Sequence, residues 1–115
     1  MISFLALCQL KHWLVDFYFQ TNEMVRGKGI YGNKYGMVHS LQHGLMMMLV
    51  AGLFTDIPTA LTIAVLDCLV HYHIDWFRMN YGCGDTKEKN FWLHFGLDQM
   101  AHQVTYLLLA FYLFV

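Results

Sequence analysis

The chain has 115 residues, enough for one domain, with 57% apolar and only 13% charged residues and a formal net charge of −1. Soluble domains carry roughly 25% charged residues, so the deficit points to a membrane. The small net charge, with no basic stripe interleaved with aromatics, gives no reason to expect nucleic acid as a partner.

The first predicted helix covers about 2–20. Its sequence, MISFLALCQLKHWLVDFYF, lacks a basic start and a small-residue cleavage site, so it reads as a retained transmembrane helix. The polar stretch Asn22 to Tyr35 follows, with Gly27, Gly29, Gly32, Arg26, Lys28 and Lys34, and reads as a mobile loop. The second helix is expected over about 36–54. After it comes Thr55-Asp56-Ile57-Pro58, in which Asp56 or Thr55 can cap a third helix over about 58–78 and Pro58 suits its first turn. So short a connection makes these two helices antiparallel neighbours. A second polar loop, Asn80 to Lys89, leads to a fourth helix over about 90–115.

Each segment is long enough to cross a hydrocarbon core of about 30 Å. The expected fold is therefore all-α: a single domain over 1–115, a polytopic membrane four-helix bundle. The two long loops and the adjoining Arg78 hold six of the seven Lys and Arg residues. That asymmetry predicts a multi-pass protein of the inner membrane, with the long loops cytoplasmic and both termini outside.

Four pairs of metal-capable side chains lie four residues apart in these segments: His12 and Asp16, His39 and His43, His71 and Asp75, Asp98 and His102. Residues at i and i+4 share one helix face, so each pair presents two ligands in one direction. All eight fall at overlapping depths in the half of the bundle near the basic loops, which predicts a single intramembrane His/Asp cluster. A charge at mid-membrane costs roughly 2.5 to 3.5 kcal/mol and must be compensated by a partner, water or a cation. Neutral imidazole with carboxylate is the ligand set of zinc first, and of iron or manganese next. Eight candidates suit one divalent metal with outer carboxylates, or two. Asp16, Asp75 and Asp98 are the candidate catalytic bases.

Gln20, Gln99 and Gln103 are candidate donors behind the ligands, and His94 shares a face with Asp98 at the chamber mouth. His73 faces elsewhere than His71 and is left outside. Lys11 and Asp67 lie at similar depth and read as an ion pair, with a proton-relay role for Asp67 as the alternative. Met46, Met47 and Met48 read as lipid-facing and core-filling residues, and Cys8, Cys68 and Cys83 as unpaired thiols.

The blocks KHWLVDFYFQTNEM, HSLQH, HYHID and LDQMAH resemble those of a family of small bacterial and phage membrane proteins classed as a domain of unknown function. The match places the family pattern on His12, Asp16, Gln20, His39, His43, His71, Asp75, Asp98, Gln99 and His102. His73 stands where that family more often has an apolar residue. In motif style the family is similar to membrane-bound metal-dependent hydrolases, and more distantly to zinc-dependent phospholipases.

The expected function is a membrane metal-dependent hydrolase acting on a phosphoester or lipid-like substrate from the cytoplasmic leaflet, with Arg26, Lys28 or Lys34 attracting an anionic head group. Membrane lipids are the expected partners, and a homo-oligomer is compatible with the sequence. The rivals are a proton or metal transporter, a non-enzymatic phage or host partner-binding protein, and, as a minor case, a bis-histidine haem protein.

Overall fold

Short polar side chains set where the helices begin. A computed structural model describes residues 1–115 as five helices: α1 Ile2–Trp13, α2 Asn22–Lys28, α3 Lys34–Gly52, α4 Ile57–Tyr81 and α5 Lys89–Phe114. Thr21 accepts from the Met24 N–H at 3.3 Å to start α2, and Asn33 accepts from the Tyr35 N–H at 2.9 Å to start α3. Asp56 accepts from the Thr59 N–H at 2.8 Å, with Pro58 in the first turn of α4. Those bonds to Thr59 hold the Asp56 carboxyl below its ordinary range.

The helix layout departs from expectation in two places. The first helix was expected to run unbroken to residue 20, but α1 stops at Trp13 and passes into a π-helical turn, Leu14–Tyr18. The Phe19 N–H donates to the Leu14 carbonyl at 2.9 Å, the five-residue spacing of a π turn. Asp16 lies in this turn, and the Gln20 amide donates to its main-chain carbonyl at 2.8 Å. Second, the stretch read as a mobile loop contains α2, folded back on α3. A Cβ on Gly27 would lie 2.4 Å from Asn33 Oδ1 and 2.9 Å from the Gly36 nitrogen, so glycine lets the two backbones meet.

The remaining connectivity follows the expected order. Phe4, Phe54 and Phe114 meet in mutual edge contacts with centroids 5.7 to 5.8 Å apart. Both termini and the α3–α4 turn therefore share one end, and α2 and the 82–88 connection occupy the other. Near the first end lies an apolar core that includes Phe4, Cys8, Met47, Ile63, Tyr106 and Leu109. Antiparallel α3 and α4 close up at Gly44, where a Cβ would lie 2.9 Å from the Cys68 Cβ. All three cysteines are free thiols.

Alongside the apolar core, many ionisable side chains are buried and many large apolar ones are exposed. Lys11, His12, Asp16, His39, His43, Asp67, His71, Asp75 and His102 are buried. Leu41, Leu45 and Leu49 on α3, Leu61 and Leu69 on α4, and Leu97, Leu107 and Phe111 on α5 are exposed. Length and composition nevertheless single out one helix able to cross a membrane, α4, not the expected four. α1 contains only 12 residues, and cluster residues dilute the hydropathy of α3 and α5.

Candidate metal centre

Each long helix brings its ligand pair to the same level. From α3, His39 and His43 project one turn apart; from α4, His71 and Asp75; from α5, Asp98 and His102; from α1 and its π turn, His12 and Asp16. The structure brings all eight together beneath the apolar core. Only Asp98 is not fully buried.

Asp16 is the hub. Its Oδ1 lies 2.8 Å from His43 Nε2, 3.0 Å from His39 Nε2 and 3.5 Å from His71 Nε2. One ligand atom from each of these four residues falls within 4.8 Å of the others, as do those of His12, His71 and His102, and those of Asp75, Asp98 and His102. His71 and His102 are the shared members, so the groups form one continuous chain. His43 and His71 stack at 3.4 Å between centroids, and His71 and His102 at 4.1 Å.

The Nδ1 atoms of His39, His43 and His71 are buried without a hydrogen-bond partner. The Nε2 atoms of His39 and His43 face Asp16 Oδ1, which can only accept, so without a metal these Nε2 atoms carry the proton and donate. Ligation through Nε2 would move that proton to Nδ1 and replace the hydrogen bond with a bond to the metal. His12 is held more tightly. Its Nδ1 lies 2.9 Å from the Tyr106 hydroxyl, and its Nε2 lies 2.9 Å from Gln99 Oε1 and 3.1 Å from Asp16 Oδ2. Donation from Nε2 to Gln99 makes Nδ1 the acceptor from Tyr106, so ligation through Nε2 requires that the Gln99 contact be given up.

Three carboxylates, Asp16, Asp75 and Asp98, lie in the cluster with one ammonium, Lys28, 3.0 Å from Asp75 Oδ2. If every imidazole is neutral, two negative charges lack a partner in a buried space, which is costly. Protonated imidazoles, such as His102 beside Asp75 and Asp98, or a divalent cation would each reduce that excess, and the donor set of imidazole nitrogen and carboxylate oxygen suits zinc, iron or manganese.

Neighbouring residues fall differently from the sequence expectations. Gln99 stands behind the ligands, bridging His12 and the Asp98 Oδ2 to which its amide donates at 3.0 Å. Gln20 serves the π turn instead of the ligands, and Gln103 pairs with Gln9 away from them. His73 is exposed and spans the Leu69 carbonyl and the Tyr31 hydroxyl, outside the cluster. Lys11 forms a buried ion pair with Asp67. Of the three cations expected to draw in a head group, Lys28 is instead turned inward onto Asp75.

Sequence reasoning missed Lys28 and Tyr106 as members of the site. Tyr106 lies one turn beyond His102 on the Asp98–His102 face of α5, so i+4 spacing extended once more would have found it. Lys28 reaches Asp75 only because α2 folds back over Gly36, and no periodicity signals that.

A family model described as "Protein of unknown function (DUF3307)" matches residues 4–115. The chain belongs to this family. The DUF3307 match spans all four His/Asp pairs. None of the curated proteins and none of the solved structures matches the chain.

Proposed function

We propose that this DUF3307 protein is a multi-pass membrane protein that holds one or two divalent metal ions, zinc foremost, in the His/Asp chamber. It uses them to hydrolyse a phosphoester or lipid-like substrate from the cytoplasmic leaflet. The observation that carries this reading is the convergence of His39, His43 and His71 Nε2 on Asp16 Oδ1. The membrane part is supported by the exposed leucine faces around a polar interior.

A divalent ion held there supplies Lewis acidity and lowers the pKa of water towards neutrality. The chain's own residues divide the remaining work. Asp16, touching three imidazoles, is suited to ligation rather than to proton transfer. Asp75 is held by Lys28 and His71. Asp98 lies 3.7 Å from His102 Nε2 and at the groove between α4 and α5, its Oδ2 taken by Gln99 and its Oδ1 without a hydrogen-bond partner, and is the carboxylate placed to accept a proton from water at the chamber edge.

Release of inorganic phosphate from a phosphomonoester in mixed micelles tests the reading. Turnover with zinc, lost in chelator and in Asp98→Asn, is expected; a metal-loaded protein that turns over neither phosphomonoesters nor phosphodiesters would argue against hydrolysis.

One observation favours a second reading, a non-enzymatic network for partner binding or for proton or metal movement. Lys28 neutralises Asp75 without any metal. For partner binding chelation leaves cellular function intact, and for proton or metal movement flux in proteoliposomes is the measurement that detects it.

A further inference from the structure

The chamber is sealed on the α3 side, where His39 and His43 are wholly buried, and is bounded on the α5 side by Asp98 and half-buried Gln99. A groove of about 780 Å³ runs along the outer side of Asp98, between α4 and α5. Its apolar wall includes Leu69, Val70, Ile74, Phe77, Leu97 and Ala101, and Asp98 lies in the same wall. Leu69, Phe77 and Leu97 are more than half exposed, so the groove faces outward onto the apolar surface of the bundle.

The groove has a polar end. Arg78 lines it one turn beyond Ile74, on the side of the basic loops, together with His94. The Arg78 guanidinium sits 5.1 Å over the Phe91 ring. It also packs on Gly82, where a Cβ would come within 2.4 Å of a guanidinium nitrogen. Its Nε is buried and has no hydrogen-bond partner. A positioned guanidinium with an unused donor, at one end of an apolar trough, has the charge and shape to hold an anionic head.

We propose that this groove takes one acyl chain of an anionic membrane phospholipid, with its phosphate held at the Arg78 end, beside Asp98 at the edge of the metal centre. The proposal rests on the hydrolase reading and names its substrate class. The direction is consistent with a cytoplasmic leaflet. Arg78 lies at the end bearing the basic loops, and Leu69, Val70 and Ala101 lie deeper, towards the apolar core. Asp98 belongs both to the groove wall and to the group formed with Asp75 and His102, so a single side chain forms the boundary between the two.

The test uses the full chain in phosphatidylcholine vesicles doped with phosphatidic acid bearing a photoactivatable diazirine in its acyl chain. Adducts are expected to concentrate between Leu69 and Phe77 and between Leu97 and Ala101. Arg78→Gln should reduce them about fivefold, the loss of one cation at an anionic surface, and Ala101→Trp should abolish them by filling the groove. Labelling spread evenly over the exposed leucines, labelling indifferent to Arg78→Gln, or cross-linking of two chains through the groove would overturn the proposal. Metal content measured on the same preparations separates the two claims. Retained metal with no groove labelling overturns the lipid site alone, whereas groove labelling in a protein that binds no metal supports the lipid site and removes the hydrolase reading.

Discussion

His43 Nε2 lies 2.8 Å from Asp16 Oδ1 although 27 positions separate them in the chain. One residue comes from the middle of α3 and the other from the π turn that ends α1. His39 and His71 close on the same oxygen, so this contact marks the point where three elements of the bundle meet.

Asp16→Asn removes a charge that three imidazoles surround while keeping the shape of the side chain. Divalent metal affinity is expected to fall by at least about tenfold, the scale on which changes around metal ligands act. Isothermal titration with zinc in mild detergent measures it, and an unchanged affinity would remove Asp16 from the ligand set.

Lys28→Met leaves Asp75 with a buried charge and no ammonium beside it. Breaking a buried pair from one side costs about 3 kcal/mol. The variant is expected to unfold at lower denaturant than the parent in chelator and to regain most of that loss with a divalent cation, because the cation takes over the neutralisation. Equal losses with and without metal would show that Lys28 and the cation do not serve the same carboxylate.

Gly44→Ala pushes a Cβ to within 2.9 Å of the Cys68 Cβ and 3.2 Å of the Ala64 carbonyl oxygen, at the seam of α3 and α4. The backbones must move apart next to His43, at a cost of about 2 kcal/mol. Denaturant unfolding measures this. The stacked His43 and His71 rings share the seam, so metal affinity should fall as well.

Much of the fold could be read from the chain, for identifiable reasons. Asp56 and Pro58 announce α4 because capping is local chemistry, and the i+4 pairs place four ligand faces because helix periodicity is fixed. The π turn was not legible: LVDFY is apolar apart from Asp16 and looks like continued helix. Nor was α2, whose docking depends on two glycines meeting between Gly27 and Gly36, a tertiary event. The place of Asp98 in the groove wall was equally hidden, since spacing gives a face but not how closely the neighbouring helix covers it.

Asp56 gives a pH dependence with a defined sign. Its carboxyl is depressed by the bonds from Thr59, so the folded state favours the ionised form. The stabilisation is present above the unfolded-state pKa and is lost as pH falls through the depressed folded value. Asp56→Ala should therefore lower the thermal midpoint near neutral pH, and the gap from the parent should close at acid pH. A gap that widens on acidification would contradict the capping role.

Elemental analysis of the protein purified in mild detergent, never exposed to chelator, tests the central claim most directly. The account predicts one or two divalent transition-metal ions per chain, lost together in a variant carrying His43→Ala and His102→Ala. A folded parent protein without metal, which also fails to take up zinc, would contradict it.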